Sequence, residues 1–370
     1  MTRLVLLAGG GSVGHLAPGF ALAPALEARG ISTRFATPGE AKEVAWFPVG
    51  WPARFTVAAP RRPRSLGDLL RFPFRMAAAV CSARRLLAEE RVAGVVALGG
   101  WPCVPTVFAA ILRRAPLAFV ASDAVPGLVV RLFAPFARRI YVATEEGRAA
   151  LRGRRGVVVT GAVVRPEIPR GRRDPARFGL DAGRRTLFVT GGSLGAKGLN
   201  EHVVHGLEAA IKKDPSVARR FQVIHSVGGS GDGIAEAYAA AGVPAHVTPF
   251  LRDMGTAYKT ADVVLCRSGA MTCAELEATG TPAVFVPYPH HADRQQYRNA
   301  APLAERGAAV VVEEADLSPE RFDHVVLALL ADDVRLRAMG ERMASGFRDA
   351  GGRIADDFLC CLGACRTARR

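Results

Sequence analysis

Twice in this chain a short apolar run breaks into glycines and then gives way to a helical stretch. That repeat constrains the fold more than any other feature. Leu4–Leu7 leads into Gly9-Gly-Gly-Ser-Val-Gly-His15 and an amphipathic helix over Pro18–Arg29. Arg185–Thr190 leads into Gly191-Gly-Ser-Leu-Gly195 and another helix. A buried strand, a glycine turn and a helix make the phosphate-binding arrangement of a doubly wound parallel sheet. Further short apolar runs follow each copy: Thr33–Ala36, Val95–Leu98, Leu117–Val120, Arg139–Ala143 and Val157–Thr160 in the first half, then Phe221–Ser226, His246–Pro249, Val263–Cys266 and Ala283–Val286 in the second. A chain of 370 residues is long enough for two domains with separate cores. The expected class is α/β, with two Rossmann-like, doubly wound parallel-sheet domains facing each other across a cleft. The Pro-rich polar run Arg165–Pro175 reads as their connection. The expected boundaries are 1–163, 164–345 and a terminal helix and tail, 346–370, that packs back on the first domain.

In open α/β sheets ligands sit at the carboxyl ends of the strands. Here those ends carry Gly9–Gly14, Gly99-Gly-Trp-Pro-Cys-Val-Pro105 and Ser122–Gly127. Gly9, Gly11 and Gly14 match the dinucleotide spacing formally, but no acidic residue ends Thr33–Ala36 to hold a ribose, so a dinucleotide is disfavoured. His15, at a loop–helix junction, is unusual for a purely structural turn. The most informative stretch is Arg267–Asn299. A Gly turn opens a helix there, and Gly280-Thr-Pro ends it. The free N–H groups at Ser268–Thr272 make a natural anion site. Glu275, one turn further on, could accept from a sugar diol. Pro287 and Pro289 stop the next strand, and a polar loop follows with Gln295, Gln296 and Asn299, which could read a second polar ring.

Composition sets the partners. The net charge of +15 (49 Lys+Arg against 34 Asp+Glu) favours ligands carrying phosphate, among them nucleotides, nucleic acid or an anionic membrane, although an Arg-rich codon bias produces the same excess. Residues 61–76 interleave arginines with Leu66, Leu69, Leu70, Phe72 and Phe74. Ser65 is expected to cap a helix whose apolar side includes Leu66, Leu69 and Leu70, with Pro73 limiting its length. Such a segment suits either a membrane interface or a core contact. Seven cysteines at 81, 103, 266, 273, 360, 361 and 365 show no Cys-x-x-Cys pair and read mostly as small buried residues of a reduced protein. No signal peptide is expected, because Arg3–Ala8 is too short an apolar run. No run is long enough to span a bilayer.

Several blocks together resemble the MurG family of GT-B glycosyltransferases. Gly10-Gly-Ser-Val-Gly-His15 stands where that family has Gly-Gly-Thr-Gly-Gly-His. Gly99-Gly-Trp-Pro-x-x-Pro105 resembles its second glycine loop. Ala124-Val-Pro-Gly127, Thr160-Gly-Ala-Val-Val-Arg165 and Gly191-Gly-Ser-Leu-Gly-Ala196 resemble further blocks. Residues 249–299 match best. The resemblance covers roughly residues 4–345.

The resemblance implies inverting transfer of N-acetylglucosamine from UDP-N-acetylglucosamine to the C4 hydroxyl of the muramyl sugar of a lipid-linked muramyl-pentapeptide, lipid I, at the cytoplasmic face of the plasma membrane. It implies that Phe250 and Leu251 lie against the uracil and that Glu275 takes the ribose hydroxyls. Ser193 with Ala270, Met271 and Thr272 would hold the diphosphate, and Arg165 would add a nucleotide contact. Gln295, Gln296 and Asn299 would contact the sugar. Gly10, Gly11, Ser12, Gly14, Gly99 and Gly100 would receive the acceptor's phosphates, and residues 61–76 would meet an anionic membrane surface. His15 is the expected base, with Asp123 assisting. No Asp-x-Asp pair is present, so no metal or cofactor is expected, and no nucleic-acid partner. The chain departs from the family where His-Glu-Gln-Asn is replaced by Val120-Ala-Ser-Asp123, where Val13 replaces a glycine, and where Leu194 replaces a glutamine. The first two changes fall on the acceptor side. A GT-B enzyme with another acceptor, or a catalytically weak nucleotide-sugar-binding paralogue, shares the donor motifs.

Overall fold

In the first half, β1 (Arg3–Ala8), β2 (Ile31–Thr37), β3 (Phe55–Thr56), β4 (Gly94–Ala97), β5 (Leu117–Ala121), β6 (Arg139–Val142) and β7 (Val157–Val159) form one sheet in the order β3-β2-β1-β4-β5-β6-β7. In the second, β8 (Arg185–Thr190), β9 (Phe221–Ser226), β10 (Ala245–Thr248), β11 (Val263–Cys266), β12 (Ala283–Phe285) and β13 (Ala309–Val311) run β10-β9-β8-β11-β12-β13. Every pairing is parallel. The first six strands of each half therefore share the order 3-2-1-4-5-6, which reverses direction between the first and fourth strands. The protein is seen in a computed structural model that describes residues 3–11, 13–39, 47, 55–61, 63, 65–192, 195–290 and 293–363. Contacts divide the chain into two compact units, Met1–Arg165 with Arg348–Arg370, and Pro166–Phe347.

The central strands are mostly apolar because helices cover both faces of each sheet, with buried Thr33, Gln222 and His225 as exceptions. In β1, Val5 and Leu7 point to one face, and Leu6 and Ala8 to the other. The first face packs under α1 (Val13–Glu27) through Leu16, Phe20 and Leu22. The same face receives the last described helix (Ala350–Cys361) through Ile354, Ala355 and Phe358. Polar ties fasten that helix. Arg29 grips Asp356 with Nε and a terminal nitrogen (2.6 and 2.8 Å), while Asp357 accepts from Arg139 Nε (2.7 Å) and the Tyr141 hydroxyl (2.8 Å). In the second unit Val189, Val223, Leu265 and Val284 belong to one core with Leu199, Val203 and Leu207 from α2 (Lys197–Lys213).

Two expectations need correction. The helix opened by Ser65 does not stop near Pro73 but continues over Leu66–Glu89. Ser65 Oγ accepts from the Asp68 amide at 3.1 Å, as an N-cap should. Pro73 is tolerated because it and Leu69 lie on an exposed face, where water can satisfy the carbonyl that proline leaves unbonded. Only Ala79, Ala83 and Leu87, at i, i+4 and i+8, are buried, so the core holds the far half of this helix. Likewise Gln295, Gln296 and Asn299 lie not in a loop but on a helix, Gln295–Glu305. Polar residues there mask a helix that buries only Ala300 and Leu303. Strands β3 and β13 were not among the expected ones: β3 has only two residues, whereas β13 lies in the apolar run Ala308–Val312, which the sequence does display.

Replacing Pro73 with alanine restores a backbone donor to an exposed helix. The variant should be more stable by about 1–3 kcal/mol, seen as a higher thermal midpoint; an unchanged or lower midpoint would mean that the proline bend is needed.

Candidate functional site

In the second unit the strand order reverses between β8 and β11, and the two segments leaving those strands are the polar ones. After β8 come Gly191 and Gly192, the latter at φ 84°, and then Gly195 at φ 75°, a left-handed conformation that glycine adopts without strain. Ser193, a sequence candidate, lies outside the described residues. After β11 the chain runs Arg267-Ser268-Gly269 into α3 (Ala270–Thr279). Gly269 brings no capping side chain and the first turn holds no acid. The leading amides of Ala270, Met271 and Thr272 thus have no intrahelical acceptors. Beside them the Ser268 hydroxyl is fully buried without a hydrogen-bond partner. A buried, unpartnered hydroxyl in the turn that leads into open amides is the chemistry of an anion seat.

A buried guanidinium holds this turn. Arg267 donates to the carbonyls of Val286 and Pro287 (both 3.1 Å) and to Glu314 Oε1 (2.9 Å). Its amide donates to the Thr190 carbonyl (3.3 Å). One residue thus ties the carboxyl ends of β8, β11 and β12 to the segment after β13. Asn299 Nδ2 donates to the Ser268 carbonyl (3.1 Å), which brings α4 (Gln295–Glu305) to the same turn. Gln296 Oε1 accepts from the Tyr288 amide (2.9 Å), and Gln295 is half-buried one position before it. Glu275 is buried on α3, accepting from the buried Tyr258 hydroxyl at 3.0 Å. A carboxylate has room for further donors beside that one. Phe250 (44 % exposed) and buried Leu251 follow β10, and Arg252 lies 5.8 Å over the Phe250 ring. The contacts described for them do not reach the 268–272 turn. Arg165 ends the first of the two segments that make up the other unit.

The first unit repeats the pattern at its own reversal, between β1 and β4. Gly10 and Gly11 (φ 143° and 82°) follow β1, and Gly99 and Gly100 (φ 85° and 74°) follow β4. Gly14 lies exposed in the first turn of α1, and Ser12 lies outside the described residues. The His15 ring packs on Gly100, where a Cβ would come within 2.6 Å of its Cδ2. Burial pushes the His15 pKa below 6.5, and the nearby Asp123 carboxylate opposes this only in part. His15 is therefore neutral at pH 7 and able to take a proton. Asp123 and Ser122 follow β5, and the Ser122 hydroxyl is buried without a partner. Ala121, the end of β5, is buried and apolar. Among the described residues no three His, Cys, Asp or Glu side chains converge as metal ligands would. Cys103, Cys266, Cys273 and Cys361 are buried and Cys81 is exposed; Cys365 lies outside the described residues.

The residues missed in the sequence are Arg267 as a clamp, with Glu314 47 positions away, and Tyr258. Arginine in an otherwise apolar strand end was the available signal.

Comparisons with known proteins match the two halves of the chain to the two domains of one family. Residues 5–142 match the glycosyltransferase family 28 N-terminal domain and residues 186–354 its C-terminal domain. The chain is 39% identical to the UDP-N-acetylglucosamine--N-acetylmuramyl-(pentapeptide) pyrophosphoryl-undecaprenol N-acetylglucosamine transferase of Acidothermus cellulolyticus, over 95% of this chain and 96% of that one. It is 37% identical to the protein of the same description from a Mycobacterium species, over 96% and 94%. Among solved structures it is similar to Acinetobacter baumannii MurG, with a TM-score of 0.74, 25% identity and coverage of 97% and 100%. The kitacinnamycin glycosyltransferase shares the fold, with a TM-score of 0.68 at 17% identity over 98% and 100%.

Arg267→Ala leaves the half-buried Glu314 without its cation and removes the donors to two carbonyls. It should cost about 3–5 kcal/mol in urea unfolding. The double variant with Glu314→Ala should recover part of the loss, since the stranded carboxylate is then gone; strict additivity would show that the pair does not interact.

Proposed function

Because the chain belongs to the MurG family within glycosyltransferase family 28, we propose that it transfers N-acetylglucosamine from UDP-N-acetylglucosamine to the C4 hydroxyl of the muramyl sugar of lipid I, giving lipid II for the cell wall. The observation that supports this most is the buried, unpartnered Ser268 hydroxyl beside the open amides of α3. That arrangement suits a diphosphate, and the second unit is the donor side. Ala270, Met271 and Thr272 hold the diphosphate, joined by Ser193. Glu275, which also accepts from Tyr258, accepts from the ribose hydroxyls. Phe250 and Leu251 flank the uracil, Gln295, Gln296 and Asn299 take the sugar, and Arg165 adds a nucleotide contact.

The first unit is the acceptor side. Gly10, Gly11, Ser12, Gly14, Gly99 and Gly100 let the backbone come close to the acceptor's diphosphate. The C4 oxygen forms a bond to the anomeric carbon from the face opposite UDP. The bond from that carbon to the β-phosphate oxygen breaks, and its electron pair leaves with UDP. The hydroxyl proton passes to neutral His15. The positive end of α3 stabilises the charge gathering on the departing diphosphate. Asp123 supplies, near His15, the carboxylate that the buried Ala121 does not.

The same unit meets the membrane. Leu66, Leu70 and Phe74 stand at i, i+4 and i+8 on the long helix Leu66–Glu89 with exposures of 77, 70 and 79 %, and Leu69 is exposed beside them. Exposed Arg61, Arg71 and Arg75 lie in the same segment; Arg62 and Arg64 lie outside the described residues. An apolar stripe with arginines suits insertion into an interface of anionic lipid. Among the described residues no helix is long and apolar enough to cross a membrane. The protein works as a peripheral enzyme of the cytoplasmic face.

Purified protein given UDP-N-acetylglucosamine and a lipid I analogue should release UDP, and donor binding without release would sink the assignment. Because neutral His15 is the base and its pKa is lowered, kcat/KM should fall only below pH 6.5. His15→Ala should abolish turnover with donor affinity nearly intact. Asp123→Asn, which removes the raising influence, should move the acid limb lower still; a limb above 6.5 would remove His15 from the mechanism.

Leu70→Glu with Phe74→Glu should abolish co-sedimentation with vesicles containing anionic lipid while sparing turnover of a soluble acceptor analogue. Undiminished sedimentation would place the membrane contact elsewhere.

A further inference from the structure

Under the loop that follows β8 lies a chain of polar groups that the reaction does not use. His225, the fifth residue of β9, is fully buried. Its Nδ1 lies 2.8 Å from the hydroxyl of Tyr238, on the helix Ile234–Ala240. Its Nε2 lies 3.0 Å from Oδ1 of Asn200, on α2. Asn200 Nδ2 in turn donates to the Val227 carbonyl at 3.0 Å. Tyr238 and Asn200 are buried as well.

The directions of these bonds follow from chemistry. A carbonyl only accepts, so Asn200 turns its nitrogen to Val227 and its oxygen to the ring. The ring nitrogen facing that oxygen must carry hydrogen, which places the proton on Nε2. Burial pushes the His225 pKa down to about 3, so the ring is neutral and Nδ1 is bare. Nδ1 therefore accepts from the Tyr238 hydroxyl. Every donor in the chain points toward Val227.

The Val227 carbonyl is where Gly195 is seated. A Cβ on Gly195 would collide with that oxygen and would come within 2.9 Å of Gly228 Cα. Gly195 also closes a turn, its amide donating to the Gly192 carbonyl (3.0 Å). The Asn200 amide donates to the Ala196 carbonyl (2.9 Å), the first bond of α2. Asn200 thus holds both the start of the helix and the peptide that Gly195 rests on.

We propose that His225 is a positioning residue for donor binding. Its Nε2–H orients the Asn200 amide, which fixes the Val227 carbonyl as the seat of Gly195 and so the place of Gly195 at the start of α2, without touching the ligand. The proposal rests on the reading of the second unit as the donor side.

The test uses two polar variants that mimic different ring nitrogens. In His225→Gln the amide nitrogen reaches the place of Nε2 and still donates to Asn200. In His225→Asn it stays near Nδ1, and Asn200 loses its donor. UDP affinity by calorimetry and donor KM should stay within about threefold of wild type for Gln. They should worsen about tenfold for Asn, the scale of one lost buried hydrogen bond. In both variants the acceptor KM and kcat at saturating donor should hold, which a merely structural loss would not spare. Tyr238→Phe keeps the bond to Asn200 and should also stay within about threefold. It keeps the relay open to disproof should the Asn variant fold poorly. Equal losses in the Gln and Asn variants, full affinity in the Asn variant, or a tenfold loss in Tyr238→Phe would each overturn the relay. Wild-type protein that fails to bind UDP would overturn the donor-side reading and the proposal with it.

Discussion

A single buried guanidinium sets what the second unit can do. A parallel sheet delivers all its carboxyl ends to one edge, and with them a row of carbonyls that no neighbouring strand satisfies. Arg267 answers three demands there at once. It donates to two of those carbonyls, neutralises Glu314, and takes its place in the ladder through its own amide. Its bonds fix where Ser268 and Gly269 lie, and therefore where α3 begins. An apolar residue in its place would leave two carbonyls and a half-buried carboxylate without their donor, which is costlier than never having placed them there.

The two units solve similar problems with different chemistry on the same strand order. Both put glycines after the first strand and a turn after the fourth. At the turn before α3 the second unit offers amides and a hydroxyl, groups whose charge does not change with pH. The first offers a histidine held neutral by burial beside a carboxylate. The unit with fixed dipoles suits a ligand that is already charged, and the unit with a titratable ring suits one that must lose a proton. The +15 charge alone made no such distinction.

How much of this was legible in the sequence depended on how local the cause was. Strands such as Leu4–Leu7 and Val263–Cys266 were readable because burial on both faces leaves an unbroken apolar run. The glycine loops were readable because positive φ selects glycine. The helix start at Ala270 was readable from Ser268-Gly269 and the glycine stop at Gly280, which the structure shows at φ 68°. What stayed hidden was decided at a distance or by solvent. Pro73 ends most helices, but here the unpaired carbonyl faces water. Gln295–Asn299 looked like a loop because the helix carrying it has so narrow a buried side. The partner of Arg267 is 47 residues away, and the relay from Tyr238 through His225 to Asn200 crosses three elements, so no spacing rule could announce either.

The chain leaves the first unit at Arg165 and returns to it only at Arg348. The helix Ala350–Cys361 closes the face of the first sheet that carries Val5, Leu7, Val96 and Tyr141. During synthesis the part of that face that α1 does not cover must therefore wait while the whole second unit is made. At about 5–20 residues per second the wait is roughly ten to forty seconds. Through that interval the nascent first unit shows a greasy, half-finished sheet to its surroundings, and a ribosome that stalls anywhere in the second unit prolongs the exposure. The order of the chain thus gives this enzyme a vulnerable stage in its manufacture that the finished molecule no longer shows.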